Sequence, residues 1–435
     1  MSILNVNKIN PVGGGSTITI AGIASVTSSV TAPSFVGAVT GNVTGNVTGN
    51  SDTASGLSGN PSINTTGIIT ATTLNYTGNQ NLSHRNLVIN GAMTVAQRGT
   101  SSTSTGYQTV DRFSIDSSGL NENLTQAQVD VASGTTPYTS GFRKAFKITN
   151  GDQTGGAGNA DYSNIQYKFE AQDVSNSGWN YISSSSDITI SFWVKSSVAQ
   201  TFYAYLRTKD GTNYHYPISF ALSANTWTKV TKIISGNSNL QIDNDNGEGM
   251  QFTFMLFYGT NYTSSGATLN AWQTTSGNNY SPDNTTTWYT TNDATFEITG
   301  VQLEVGPVAT PFEHRSFGDE LRRCERYYQK KDNYPNQPYG VGNIDGANQG
   351  QLHVTLITSM RQKPTLETTG SAGDYGLRVR TTQTCTGVPV MPSLTASTDS
   401  VFLEIPRASH GFNDGQACFC IAINSNSFLA FNAEL

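Results

Sequence analysis

Aromatic side chains set in polar loops are the first residues in this chain that could do chemistry. Tyr262, Trp272, Tyr280 and Trp288 lie in the long polar stretch between Tyr258 and Trp288, with Tyr289 just beyond. Trp179 and Tyr181 interrupt a second such stretch. Sugars offer apolar C–H faces to rings and hydroxyls to amides, so rings exposed beside Asn, Ser and Thr suit glycan binding. Long loops without regular structure often carry function. The alternative for the same rings is packing, on loops or on neighbouring subunits. Trp193 and Trp227 sit in strand patterns and read as structural.

Other chemistries find less support. Asp243-Asn-Asp-Asn-Gly-Glu-Gly offers hard oxygen ligands for a structural Ca²⁺. Its glycine is one position early for an EF-hand loop, and a tight acidic turn explains the run. His215 stands between Tyr214 and Tyr216, and the five histidines show no metal-ligand spacing. No metal or cofactor is therefore expected. Gly-x-Ser-x-Gly elbows, phosphate loops and dinucleotide fingerprints are missing. Glycoside cleavage needs paired carboxylates. Asp161, Glu170, Asp173 and Glu248 pair only if the fold brings them together. Cys418 and Cys420 share one strand face as a metal pair or, more simply, as buried thiols.

Period-two alternation marks the elements that must hold these residues. In Asp187–Lys195, Ile188, Ile190, Phe192 and Val194 point one way and Thr189, Ser191 and Trp193 the other. In Ala294–Glu304 the alternation slips at Gly300, which reads as a β-bulge. Further strands are expected at 126–131, 145–148, 165–169, 201–207, 228–234 and 250–257, with a strand and turn at Asn86-Leu-Val-Ile-Asn-Gly. Short strands without long helices between them predict an antiparallel jelly-roll sandwich over residues 84–317. Phe192, Phe202, Leu206, Phe252, Phe254 and Phe296 are its expected core.

A helix is expected from Gly318 to Gln329, in a linking segment 318–334. Ser316 and Asp319 resemble a capping box, and Leu321, Cys324 and Tyr328 fall on one face. Arg322-Arg323-Cys-Glu-Arg-Tyr-Tyr-Gln-Lys-Lys is the most charged run of the chain. It reads as a basic site or as a solvated helix face. Residues 335–435 are expected to form a small β-sandwich, with strands at 351–357, 377–380, 401–405, 417–423 and 428–435. A strand running to Leu435 would be pinned by a partner strand, of this subunit or another.

Residues 1–83 differ in kind. Thr17-Ile-Thr-Ile and Gly67-Ile-Ile-Thr-Ala-Thr-Thr-Leu are strand-like, and Gly41-Asn-Val-Thr repeats at Gly45 and begins again at Gly49-Asn50. One small apolar residue per four cannot close a core within one chain. Three copies wound around a Val/Ile seam would form an extended β stalk; the other reading is a flexible linker. The expected fold class is thus all-β: extended N-terminal stalk, central jelly-roll, short linking helix and C-terminal sandwich.

Composition narrows the setting. Charged residues are 12% of 435, against roughly a quarter in ordinary globular proteins, and the net charge is −6. The 24 Lys and Arg form no long run, which argues against nucleic acid. No stretch of about 18 apolar residues suggests membrane insertion. The first residues lack a secretion-signal pattern. A chain with an extracellular composition and no export signal is expected to leave the cell by lysis, as part of a particle.

The order of several motifs resembles bacteriophage tail-fibre and related virion proteins, those of marine cyanophages in particular. They are Asn86-Leu-Val-Ile-Asn-Gly, Ala96-Gln-Arg-Gly, Asp111-Arg-Phe, Ile190-Ser-Phe-Trp-Val-Lys and Thr226-Trp-Thr-Lys-Val. Ile298-Thr-Gly-Val-Gln-Leu-Glu-Val-Gly, Ala309-Thr-Pro-Phe-Glu-His-Arg-Ser and Glu320-Leu-Arg-Arg-Cys-Glu-Arg-Tyr-Tyr follow, then Met360-Arg-Gln-Lys-Pro-Thr and Phe431-Asn-Ala-Glu-Leu. The repeats resemble cyanophage fibre shafts. The resemblance implies a carbohydrate-binding-module-like jelly-roll in a homotrimeric fibre that binds host surface polysaccharide without cleaving it. Residues 1–80 would attach to other tail or capsid proteins. A head fibre or capsid decoration protein, a tailspike depolymerase and a bacterial cell-surface binding module remain alternatives. Depolymerases tend towards long parallel β-helices, whose regular rungs this sequence lacks. The shared motifs are scaffold residues and assign no ligand.

Overall fold

A computed structural model describes residues 85–332, 334–392, 396–408 and 411–435. The expected stalk, with its repeats and two strand-like stretches, lies outside the described residues. All described residues fall within one unit of contacts.

Residues 101–305 carry twelve strands: β1 Ser101–Ser102, β2 Phe113–Ser118, β3 Thr125–Asp130, β4 Lys144–Thr149, β5 Tyr162–Glu170 and β6 Asp187–Ser196; then β7 Gln200–Thr208, β8 Tyr214–Leu222, β9 Thr228–Ser235, β10 Glu248–Tyr258, β11 Gln273–Thr274 and β12 Thr295–Val305. Two short helices intervene, α1 Thr136–Thr139 and α2 Ala171–Ser175. The strands form two six-stranded sheets, β1-β3-β4-β12-β6-β9 and β11-β8-β7-β10-β5-β2. All their ladder pairings are antiparallel. This is the expected all-β sandwich.

The expected core is in place. Phe192, Phe202, Leu206, Phe252, Phe254 and Phe296 are all buried. Phe192 meets Phe254 edge to face at 4.9 Å, and Phe202 meets Phe296 at a tilt at 5.0 Å. Burying each such side chain stabilises the fold by about 1.5–3 kcal/mol. The bulge at Gly300 is also present: the β12–β6 register shifts between Thr299 and Gln302, and Gly300 has φ +63°.

Two details correct the sequence reading. Asn86–Ile89 is not a strand, although a turn follows it. The Asn86 side chain takes the ladder's place: its Oδ1 accepts from Val88 and Leu303 N–H, and its Nδ2 donates to the Val301 carbonyl. β8 is a strand beyond those expected, and it holds Pro217. Pro217 lies where β8 pairs fully with β7 on one side but meets only the two-residue β11 on the other. A strand with a nearly free edge tolerates a missing N–H.

The helix, α3, spans Phe317–Glu325 and is capped as expected, with Ser316 Oγ accepting from Asp319 N–H at 3.2 Å. It stops short of Gln329. β13, Tyr328–Asp332, is a strand, because five residues there pair with Phe428–Asn432 and tertiary pairing overrides the helix-favouring Gln-Lys-Lys. The remaining strands are β14 Pro338–Asp345, β15 Gln349–Thr355, β16 Thr365–Thr368, β17 Tyr375–Arg378, β18 Thr382–Thr384, β19 Ser400–Pro406, β20 Ala417–Ala422 and β21 Phe428–Asn432. They form sheets β13-β21-β16 and β18-β17-β20-β14-β15-β19 around a second core that holds Leu352, Leu403, Leu429 and Phe431. Cys418 and Cys420 are buried in it. The last strand ends at Asn432 and lies between β13 and β16 of the same chain. Among the described residues no helix is long and apolar enough to cross a membrane.

The quoted motifs converge where the two sandwiches meet. Gln97 donates to the Asp111 carboxylate and to the Tyr328 carbonyl. Arg98 stacks on Tyr328, 3.5 Å from its ring centroid, and pairs with Glu434. Arg326 holds Glu170 through two bonds of 2.7 and 2.8 Å. Arg361 exchanges hydrogen bonds with Asn246 and donates to the carbonyls of Ala433 and Glu434.

Candidate functional site

Alternation in the β11-β8-β7-β10-β5-β2 sheet defines an outer face. Phe202, Ala204 and Leu206 enter the core, so Tyr203, Tyr205 and Arg207 point outwards. Phe252 and Phe254 likewise turn Gln251, Thr253 and Met255 out, and Ile165 and Tyr167 turn Asn164, Gln166 and Lys168 out. A register shift between Met255 and Phe257 sends Tyr258 outwards too. The pairings then set these side chains in rows. One row runs Asp116, Asn164, Met255, Tyr203, Ser219; the next runs Ser114, Gln166, Thr253, Tyr205, Pro217.

Tyrosines dominate this face. Tyr205, Met255 and Tyr258 form its buried floor, and Tyr162, Tyr203, Tyr262 and Tyr280 pack against it half-buried. Ring centroids lie 5.2 Å apart for Tyr205 and Tyr280, 5.4 Å for Tyr162 and Tyr262, and 5.9 Å for Tyr258 and Tyr280. Polar groups are interleaved. Arg207 donates to the Tyr280 hydroxyl at 3.1 Å and to Gln251 at 2.6 Å. Asp116 accepts from Tyr162 and Gln166, both at 3.3 Å. Burial, and then the Asp116 carboxylate, push the Tyr162 hydroxyl up to about 12. Burial also raises Tyr203 and Tyr205. These hydroxyls therefore stay protonated and can donate at neutral pH.

His215 lies under the rim of this face, fully buried between Thr275 and the Asn279 carbonyl. Burial lowers its pKa to about 4, so the imidazole is neutral near pH 7.

The six expected rings divide into four groups. Tyr262 and Tyr280 join the tyrosine face. Trp272 packs on Tyr216 and donates to the Ser235 carbonyl at 2.7 Å, bridging from the β8 edge to β9 of the other sheet. Trp179 and Tyr181 pack on one another, and Trp179 is buried with its indole N–H on the Ser186 carbonyl. Trp288 is wholly buried. Trp179 and Trp288 thus correct the expectation: as core side chains they have no free ring face to offer. Trp193 and Trp227 pack around Phe142, as structural residues.

Sequence reasoning missed Tyr162, Tyr203, Tyr205 and Tyr258. The signal was the alternation Phe202-Tyr203-Ala204-Tyr205-Leu206, in which every second residue is a tyrosine facing away from the core. Looking for rings only in loops overlooked it.

Most of the other candidates are spent on the chain itself. Asp245 accepts from Gly247 N–H, and Asn244 accepts from Asn176, so the acidic turn closes on α2. Glu248 and Glu170 face each other in the β10–β5 register. Yet Glu170 is held by Arg326, while Glu248 lies 3.8 Å from Lys168 and 3.9 Å from Lys209. Asp161 accepts from Gly158 N–H and the Tyr289 hydroxyl. Burial, then the Glu170 charge, raise the Asp173 pKa.

No family model matches the chain, and no curated protein matches it. Among solved structures, a family 11 carbohydrate-binding module of a cellulosomal cellulase from Clostridium thermocellum is 13% identical. The match covers 50% of this chain and 98% of that one, with a TM-score of 0.24. The N-terminal cellulose-binding domain of a Cellulomonas fimi β-1,4-glucanase is 12% identical over 50% of this chain and 100% of its own, with a TM-score of 0.24. A xylan-binding domain from Paenibacillus barcinonensis is 9% identical over 48% and 94%, with a TM-score of 0.22. Scores this low carry no weight for ligand or function.

Proposed function

We propose that this chain is a non-catalytic glycan-binding subunit of a virion fibre, and that the tyrosine face is its binding surface. One observation carries the binding reading: Tyr162, Tyr203, Tyr262 and Tyr280 lie half-buried on one sheet face among Asp116, Gln166 and Arg207. Rings take the C–H faces of a sugar, and the amide, carboxylate and guanidinium groups meet its hydroxyls. Pairing of Glu170 and Glu248 with separate cations favours binding over cleavage, since a glycosidase needs one carboxyl free to act as acid.

The fibre reading rests on the order of motifs from Asn86 to Leu435 and on the Gly-Asn-Val-Thr repeats. Residues 1–83 would join three copies and attach them to the tail or capsid. Linked sites convert weak single contacts into firm attachment.

The test is incubation of the purified full chain with host surface polysaccharide. Binding that is weakened in Tyr203→Ala, with no new reducing ends, is the expected result. Release of reducing ends would establish a depolymerase instead. Sedimentation should give the mass of three chains, and of one after deletion of residues 1–80; one chain in both cases would remove the trimer.

A further inference from the structure

The charged run at Arg322 has no part in the tyrosine face. It borders a cleft of about 720 Å³ between α3 and the turn at Thr358–Ser359. That volume lies within the range of small-ligand pockets.

Four guanidinium groups line it: Arg315, Arg322, Arg323 and Arg326. Two have fixed carboxylate partners. Arg326 holds Glu170, and Arg315 lies between Glu313 at 3.1 Å and Glu320 at 3.5 Å. Asp319, also on the wall, is bound to the Ser316 hydroxyl at 2.6 Å. Arg322 differs. It is exposed and, among the described residues, forms no direct ion pair, although the Glu325 carboxylate three residues on attracts it. Arg326 keeps helical backbone beyond α3, so Arg322 sits one turn away on the same face. Guanidinium groups grip carboxylates and other oxyanions through two parallel hydrogen bonds. The hydroxyl-bearing residues Thr358 and Ser359 stand across the cleft.

We propose that this cleft is a second carbohydrate subsite, one that selects a sugar unit carrying an oxyanion, either a carboxylate or a sulfate ester. The proposal rests on the glycan-binding reading above and adds the charge of the ligand to it. Arg322 anchors the oxyanion, and Thr358 meets the sugar hydroxyls, with the Ser359 hydroxyl already given to Asp399. Neutral chain units would occupy the tyrosine face, and acidic units the cleft.

Calorimetric titration of the full chain with glucuronic acid, glucose 6-sulfate, glucose and sodium sulfate tests this. One or both acidic sugars should bind, glucose should not compete with them, and added salt should weaken them. Arg322→Gln should weaken acidic-sugar binding about tenfold, the effect of losing a charge-assisted hydrogen bond. Arg322→Lys should recover part of it. Glucuronic acid binding alone assigns a carboxylate, and glucose 6-sulfate binding alone assigns a sulfate. Failure of both sugars, binding unaltered in Arg322→Gln, or binding of sodium sulfate as tight as either sugar would each overturn the subsite. Because Arg322 is exposed, its variants should melt like the parent chain. Polysaccharide binding that depends on Tyr203 would survive that failure, so the two readings are separable.

Discussion

Arg112, fully buried in the first sandwich, forms an ion pair with Glu434, which follows the last strand of the second. The guanidinium lies 3.4 Å from the Tyr327 ring centroid and also donates to the Lys168 carbonyl at 2.7 Å. Arg112 takes a left-handed backbone, φ +71°, which few bulky side chains adopt. One buried charge pair thus ties the two sheet systems together. Glu434→Gln should destabilise the protein by about 3 kcal/mol, because it leaves a buried cation without its counter-charge. Replacing both partners, Arg112→Met with Glu434→Leu, should cost less. Urea unfolding measures both, and a single-variant loss within about 0.5 kcal/mol, the range of a surface change, would show that the pair does not hold the junction.

Tyr203 and Trp288 should separate binding from folding. Tyr203→Ala removes a half-buried ring from the outer face, and polysaccharide affinity should fall about tenfold with little change in melting temperature. Trp288→Ala empties a fully buried site and should cost about 3–5 kcal/mol. Paired affinity and melting measurements read both. A Tyr203→Ala protein that binds normally would move the site elsewhere.

Two buried groups give opposite pH dependence. His215 is held near 4 in the fold against 6.5 in the open chain. The unfolded state therefore binds the proton first, and stability falls as pH drops from about 6.5 towards 4. Asp111 is pushed up to about 6 by burial, against 3.8. Here the folded state binds the proton first, so stability falls as pH rises from about 4 to 6. Melting temperatures between pH 4 and 7 should flatten on the acid side in His215→Gln and lose the opposing slope in Asp111→Asn. Unchanged profiles in both variants would contradict these assignments.

Gly91 is packed too closely for any side chain. A Cβ there would lie 2.0 Å from the Val301 carbonyl oxygen, beside the bond from Val301 N–H to Gly91 O. Gly91→Ala should cost about 1–3 kcal/mol through displaced backbone. Gly318→Ala, in α3 with open space around it, should instead stabilise by about 0.5–1 kcal/mol. Thermal melting distinguishes the two, and equal effects would mean that the close approach at Gly91 relaxes freely.

The sequence alone determined the all-β class, the sandwich core at Phe192, Phe202, Phe254 and Phe296, the bulge at Gly300 and the cap at Ser316. Each is local: alternation, a slip at a glycine, or a side chain three residues from its partner. Tertiary structure decided the rest. It made Tyr328–Asp332 a strand through pairing with a segment about a hundred residues away. It used Asn86 as a substitute for backbone, and it buried Trp179 and Trp288 while leaving Tyr203 half open. Alternation says that two faces of a strand differ. It does not say which strands become neighbours, or whether a ring in a loop folds inwards. Those outcomes depend on register between distant segments, which no local pattern encodes.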